Sequence, residues 1–141
     1  MSFVERMLPT ARKRLVTIGG DSPLIDAANL LREPHTDIVV VCSCDELLAG
    51  VITKTDLVRA ISRGQGSGCA AAASTVMTRT VILCRPNDLL HDIWSIMKGR
   101  GLKNIPVVDQ DSRPIGVLNA RDALEVSWRR PSTKRGCYAT M

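Results

Sequence analysis

Gly50-Val51-Ile52-Thr53-Lys54-Thr55-Asp56-Leu57 returns 66 residues later as Gly116-Val117-Leu118-Asn119-Ala120-Arg121-Asp122-Ala123. The glycines and the aspartates share that offset. So does an upstream block, Asp26-Ala27-Ala28-Asn29-Leu30-Leu31 against Asp92-Ile93-Trp94-Ser95-Ile96-Met97. Between them, Ile38-Val39-Val40-Val41 matches Ile105-Pro106-Val107-Val108 at an offset of 67, which implies one extra residue in a helix-to-strand loop, removed again before Gly116. A repeat of this period is the first thing to establish, because it fixes the architecture.

Each unit reads strand, helix, strand, strand, helix. In the first, Val16–Ile18 is a short strand and Ser22-Pro23 a helix start, a hydroxyl cap followed by proline at the first helical position. Leu24, Ala27, Ala28 and Leu31 recur at helical spacing, and Pro34 ends that helix. Ile38–Cys42 is a continuous apolar run, as in a strand buried on both faces. Gly50–Ile52 is another strand, and Asp56–Ile61 opens a helix. In the second unit Asp88 is expected to cap a helix carrying Leu89, Leu90, Ile93, Trp94, Ile96 and Met97, with Gly99 and Gly101 at its end. Strands Pro106–Val108 and Gly116–Leu118 follow, then a helix from Arg121. The expected division is an N-terminal arm at 1–15, a first repeat at 16–61, a linker and lead-in at 62–79, a second repeat at 80–128 and a basic tail at 129–141. Gly64-x-Gly66 in the linker follows a helix, where a dinucleotide-binding fingerprint would follow a strand.

Ile105-Pro106-Val107-Val108-Asp109, Pro114-Ile115-Gly116-Val117-Leu118 and Asp122-Ala123-Leu124, in that order, resemble a cystathionine-β-synthase (CBS) domain. Val76-Met77-Thr78 is similar to the lead-in common before such a repeat. The resemblance covers about Leu15 to Val126 as two repeats. It implies an α/β fold of two β-α-β-β-α repeats packed about a pseudo-twofold axis. Two clefts between them would bind adenosine nucleotides, in a regulatory module that performs no chemistry. The family's binding signature is glycine, two apolar residues, Thr or Ser, two variable residues and Asp. Gly50 to Asp56 keeps it, whereas Asn119 stands in the hydroxyl position of the second copy, and Val39 answers to Pro106 in the first.

The residue chemistry suits that reading. Thr53 lies where a strand ends and a helix begins, and the unpaired amides of a helix start attract phosphate. Thr53 adds a hydroxyl and Lys54 a positive charge. Asp56, three residues on, shares a helix face with Thr53 and is suited to accept hydrogen bonds from ribose hydroxyls. Asn119, Arg121 and Asp122 are the second set. By resemblance, Asp37-Ile38 and Asn104-Ile105 edge the base, and Thr17 and Leu83 on the first strands line the clefts. Helix N-capping is the alternative role for Asp56 and Asp122. The candidate ligands are AMP, ADP, ATP, NAD(H) and S-adenosylmethionine, which share adenosine; no cofactor is required.

The remaining features narrow the partners. The net charge of +5 is concentrated as +3 before Val16 and +4 after Trp128, leaving −2 between, so the body is not a basic nucleic-acid surface. The charged ends read as solvated, frayed termini. No apolar run is long enough to cross a bilayer, and no signal segment opens the chain, so a cytoplasmic location is expected. Five cysteines without a Cys-x-x-Cys pattern read as buried hydrophobes, although Cys42 and Cys44 would share a strand face; no metal is expected. His35 and His91 lack a nucleophile pattern, so no enzyme is expected. The wide apolar arc of the Leu89–Met97 helix, Trp94 included, predicts a homodimer packed through it. A ligand-free assembly module serving an unknown regulated protein is the alternative function.

Overall fold

A computed structural model describes residues 2–62 and 71–129, with side chains to Glu125. After a short 3-10 turn at Val4–Met7 the elements are α1 (Leu8–Arg14), β1 (Thr17–Gly19), α2 (Leu24–Leu31), β2 (Ile38–Cys42), β3 (Leu48–Thr53), α3 (Lys54–Ser62), α4 (Leu90–Arg100), β4 (Asn104–Val108), β5 (Pro114–Asn119) and α5 (Ala120–Arg129). In the first sheet β2 is central, parallel to β1 and antiparallel to β3. In the second, β4 and β5 pair antiparallel.

The two halves superimpose at one offset throughout. Ile38 pairs with Thr53 and Asn104 with Asn119, and both ladders slip at equivalent places, Val41/Cys42 and Val107/Val108. The left-handed turn residues Glu46 and Ser112 stand 66 apart as well. The offset of 67 expected for the middle strands is therefore wrong: Val39 corresponds to Ile105 and Val40 to Pro106, and no residue is inserted. The helices differ in length because Pro34 occupies the position of Arg100. α2 stops at Leu31, whereas α4 continues to Gly101, whose φ of 66° turns the chain while the Leu102 N–H donates to the Met97 carbonyl.

Alternation along β2 and β3 builds two cores. Val39, Val41 and Ile52 face Leu24, Ala27 and Leu31 of α2. Ile38, Val40 and Val51 face Val117 of β5 and join the two sheets. Each such fully buried aliphatic side chain contributes roughly 1.5–3 kcal/mol. A third core belongs to the second half: Leu90, Ile93, Met97, Ile105, Val107 and Leu118, with Val4, Met7 and Leu8 from the N-terminus. The N-terminal segment is thus built into the second half, which corrects its reading as frayed. The other basic end, the Gly64-x-Gly66 stretch, Cys69 and Cys137 lie outside the described residues.

The segments ahead of each half cross to the other. The Leu90 N–H at the start of α4 donates to the Ser2 carbonyl at 2.8 Å, and the Leu24 N–H at the start of α2 donates to the Ala71 carbonyl at 2.8 Å. These long-range carbonyls replace the side-chain caps expected at Ser22 and Asp88. α2 follows Pro23 and α4 follows Leu89 without a side-chain cap, and Asp88 instead accepts from the Arg85 N–H at 2.8 Å. The same crossing explains the motif glycines. A Cβ on Gly116 would lie 2.8 Å from the Cβ of Ala11, and one on Gly50 2.7 Å from the Thr78 carbonyl oxygen.

Two further expectations are corrected. Leu83 is in no strand; the counterpart of β1 shrinks to one parallel bridge between Cys84 and Val107. Cys42 ends β2 half-buried and Cys44 is exposed in the turn, so they do not share a strand face. Burial pushes the Cys84 thiol up to about 12, as suits an inert core residue. Trp94, expected to seek a second subunit, is partly buried against its own core with Lys98 Nζ 5.6 Å from the ring centre, and Ile96 of the same helix is exposed.

Candidate functional site

The β3–α3 junction is a reciprocal capping box. The Thr53 N–H donates to Asp56 Oδ2 at 2.9 Å, and the Thr53 hydroxyl donates to the same oxygen at 3.2 Å. In return the Asp56 N–H donates to Thr53 Oγ1 at 3.3 Å. The second carboxylate oxygen accepts from the Thr78 hydroxyl at 3.0 Å and lies 3.8 Å from Arg59 Nη1. Asp56 is 6% exposed, a buried charge held by donors from two segments. A carboxylate has about four lone-pair directions, so one remains for another donor. Beside it opens a cavity of about 270 Å³ lined by Asp56, Arg59, Ala60 and residues Thr75 to Thr78. Chemically, this mouth offers a carboxylate, hydroxyls and a guanidinium.

The β5–α5 junction is built differently. Asn119 caps α5 by itself, its Oδ1 accepting from the Arg121 N–H at 2.9 Å, while its Nδ2 donates to Asn104 Oδ1 at 2.9 Å. Asp122 is therefore spared from capping. Its carboxylate is gripped by Arg14 at the end of α1, Nε to Oδ2 at 2.6 Å and Nη2 to Oδ1 at 3.2 Å. The hydrogen bond to Asp122 raises the Arg14 pKa, partial burial opposes it, and the charges of Asp122, Asp37 and Glu125 add to the rise. The charge of Asp37, in the first half, thus acts on an arginine that is bound to Asp122 of the second.

The other expected residues are distributed unevenly. Thr17, Lys54 and Arg121 are exposed; Lys54 and Arg121 sit at the first turns of α3 and α5. Ile38 is buried between the sheets. Ile105 is fully buried in the helix-side core, on the opposite face from Ile38, because the true offset exchanges their faces. Arg14, Arg59 and Thr78 were not singled out. Arg59 was legible as the i+3 partner of Asp56, and Thr78 belongs to the noted lead-in. Arg14 acts across 108 positions and left no local trace. A second cavity, about 380 Å³ around Gly20, Cys42, Cys44 and Arg79, is lined by none of the expected residues. Among the described residues no group of His, Cys, Asp and Glu is arranged to hold a metal, and no helix is long and apolar enough to cross a membrane.

Comparison with known proteins shows the family and the fold. A family model described as CBS domain matches residues 5–63 and 73–129. An uncharacterised protein of Methanopyrus kandleri is 26% identical over 82% of the chain and 59% of its own length. The chloride channel protein CLC-f of Arabidopsis thaliana is 25% identical over 73% of the chain but 15% of its own length. The chain therefore spans only part of the curated relatives it matches. Among solved structures, a CBS-domain containing protein from Agrobacterium tumefaciens is 27% identical, with a TM-score of 0.75 over 89% of this chain and 93% of that one. CBSX2 in complex with AMP is 21% identical, with a TM-score of 0.77 over 91% and 97%. A CBS domain pair in complex with 5′-methylthioadenosine and S-adenosylmethionine is 20% identical, with a TM-score of 0.75 over 91% and 97%.

Proposed function

The chain belongs to the CBS-domain family, and on that premise we propose that it is a regulatory module that binds an adenosine-containing nucleotide and does not turn it over. The observation that carries the reading is the mouth beside Asp56. A buried carboxylate with one free acceptor direction suits a ribose hydroxyl, and Arg59 beside it suits a phosphate. Thr53 and Lys54 complete the first set. Asp37, Asn104, Asn119, Arg121 and Asp122 are proposed as the second, with exposed Thr17 of β1 as a further lining residue. Related folds holding AMP or S-adenosylmethionine support adenosine as the shared element. AMP, ADP, ATP, NAD(H) and S-adenosylmethionine remain the candidates. AMP at a hundred times its dissociation constant should stabilise the fold by about 2.7 kcal/mol, with a smaller effect from GMP. Thermal melting with each compound measures this. An unchanged midpoint with every adenosine compound would favour the assembly-only alternative.

The module is also proposed to be a homodimer, with α3 and α5 adding to the surface that the Leu89–Met97 helix offers. Val58 and Ile61 on α3 are each 64% exposed, and Leu124, the α5 counterpart of Val58, is 39% exposed. Apolar side chains left in water on equivalent helices suit a self-complementary contact. Sedimentation at micromolar concentration should show a dimer, and Val58→Glu with Ile61→Glu a monomer. A monomeric wild-type protein would end the idea.

A further inference from the structure

We propose that Arg14 gates the second cleft, holding Asp122 closed to a nucleoside and releasing it to a nucleotide whose phosphate takes the guanidinium instead. The inference rests on the nucleotide reading above but goes beyond it, since it concerns a residue of the N-terminal helix and the choice between ligands. Three observations carry it. First, the two motif carboxylates are engaged in different ways. Asp56 is tied into the cap of its own helix, whereas Asp122 contributes nothing to capping and is held by a side chain 108 residues away. Second, the grip is bidentate: two of the carboxylate's about four acceptor directions are taken, and the guanidinium lies against both oxygens of a side chain only 14% exposed. Third, Asp37 and Glu125 add their negative charge to that of Asp122 in acting on Arg14.

These facts give adenosine and AMP opposite relations to Arg14. Adenosine must displace the guanidinium and offers it nothing. AMP brings an anion of its own, so Arg14 changes partner and Asp122 becomes free for the ribose. α1 itself need not leave, since Ala11 remains seated on Gly116. The gate is a swing of one long side chain about a fixed helix.

The test is calorimetry on the full chain with AMP and with adenosine, using Asp122→Asn to identify the phase that belongs to this cleft. In wild-type protein that phase should favour AMP over adenosine by at least about tenfold, the value of one or two charged hydrogen bonds. Arg14→Ala should tighten adenosine and weaken AMP, each by about tenfold, so that the preference collapses or reverses. Arg14→Lys should retain part of the AMP preference. Arg14→Gln, which keeps the packing volume, should repeat the alanine result if that variant folds poorly. Equal shifts of both ligands in one direction, or no shift, would make Arg14 a structural strut and overturn the gate while leaving nucleotide binding intact. Binding of neither ligand to any variant would remove the nucleotide reading and the gate together.

Discussion

Replacing Gly116 with valine should cost about 3 kcal/mol or more and detach the N-terminal helix from the second sheet. The new Cβ would sit 2.8 Å from the Cβ of Ala11 and 3.0 Å from its carbonyl carbon. Neither atom belongs to a flexible side-chain end, so α1 as a whole must shift. Overpacking of this kind costs roughly 1–3 kcal/mol even where the surroundings adjust. Here adjustment lifts Val4, Met7 and Leu8 out of the core they share with Leu118, at roughly 1.5–3 kcal/mol for each side chain fully exposed. Gly116→Ala should show a smaller loss in the same direction. Urea denaturation followed by circular dichroism would measure both. A valine variant within 0.5 kcal/mol of wild type would mean that α1 is not seated where the structure puts it.

Asp56→Ala should destabilise the protein by about 3 kcal/mol in the absence of any ligand. The substitution strips an acceptor from the Thr53 N–H, the Thr53 hydroxyl and the Thr78 hydroxyl at once. Loss of a helix cap costs about 0.5–2 kcal/mol. Each buried donor left unpaired adds roughly 1–3 kcal/mol where water cannot reach it. Asp56→Asn keeps one acceptor oxygen and should lose about half as much. Asp122→Ala removes only the contact with partly exposed Arg14 and should cost less than either. Denaturation of the three variants without nucleotide is the measurement. If Asp56→Ala keeps its midpoint and loses only AMP binding, the carboxylate serves the ligand alone and the cap is dispensable.

Much of this arrangement was legible in the residues. The 66-residue echo of Gly50–Leu57 announced two copies of one unit, and β-branched runs marked the buried strands. The errors have physical causes. Ile38-Val39-Val40-Val41 and Ile105-Pro106-Val107-Val108 look alike as strings, but register is set by pairing with β3 and β5, and a slip of one residue exchanges the faces. Ile105 was thereby assigned to a cleft although it lies in the core. Val4, Met7, Leu8 and Ala11 stand at helical spacing, so the seat of α1 was written in the sequence. Arg12, Lys13 and Arg14 on the same short segment drew attention to solvent instead. Ser22 and Asp88 are good caps by type, but backbone carbonyls from Ala71 and Ser2 reach the helix starts first, and such partners leave no local pattern. At the site, the motif found Thr53 and Asp56, while Arg14 was beyond any local reading.

The crossing of the two leading segments has a consequence for the order in which the chain takes shape. Ser2, Val4 and Ala11 rest on Leu90, Leu118 and Gly116, all in the second half. During synthesis these residues therefore have no seat until α4 and β5 have also left the ribosome. Until then their apolar side chains are exposed on a nascent chain that cannot yet bury them. The segment ahead of the first half is thus later to find its place than the strands that follow it, and Arg14 meets Asp122 only when that closure is complete.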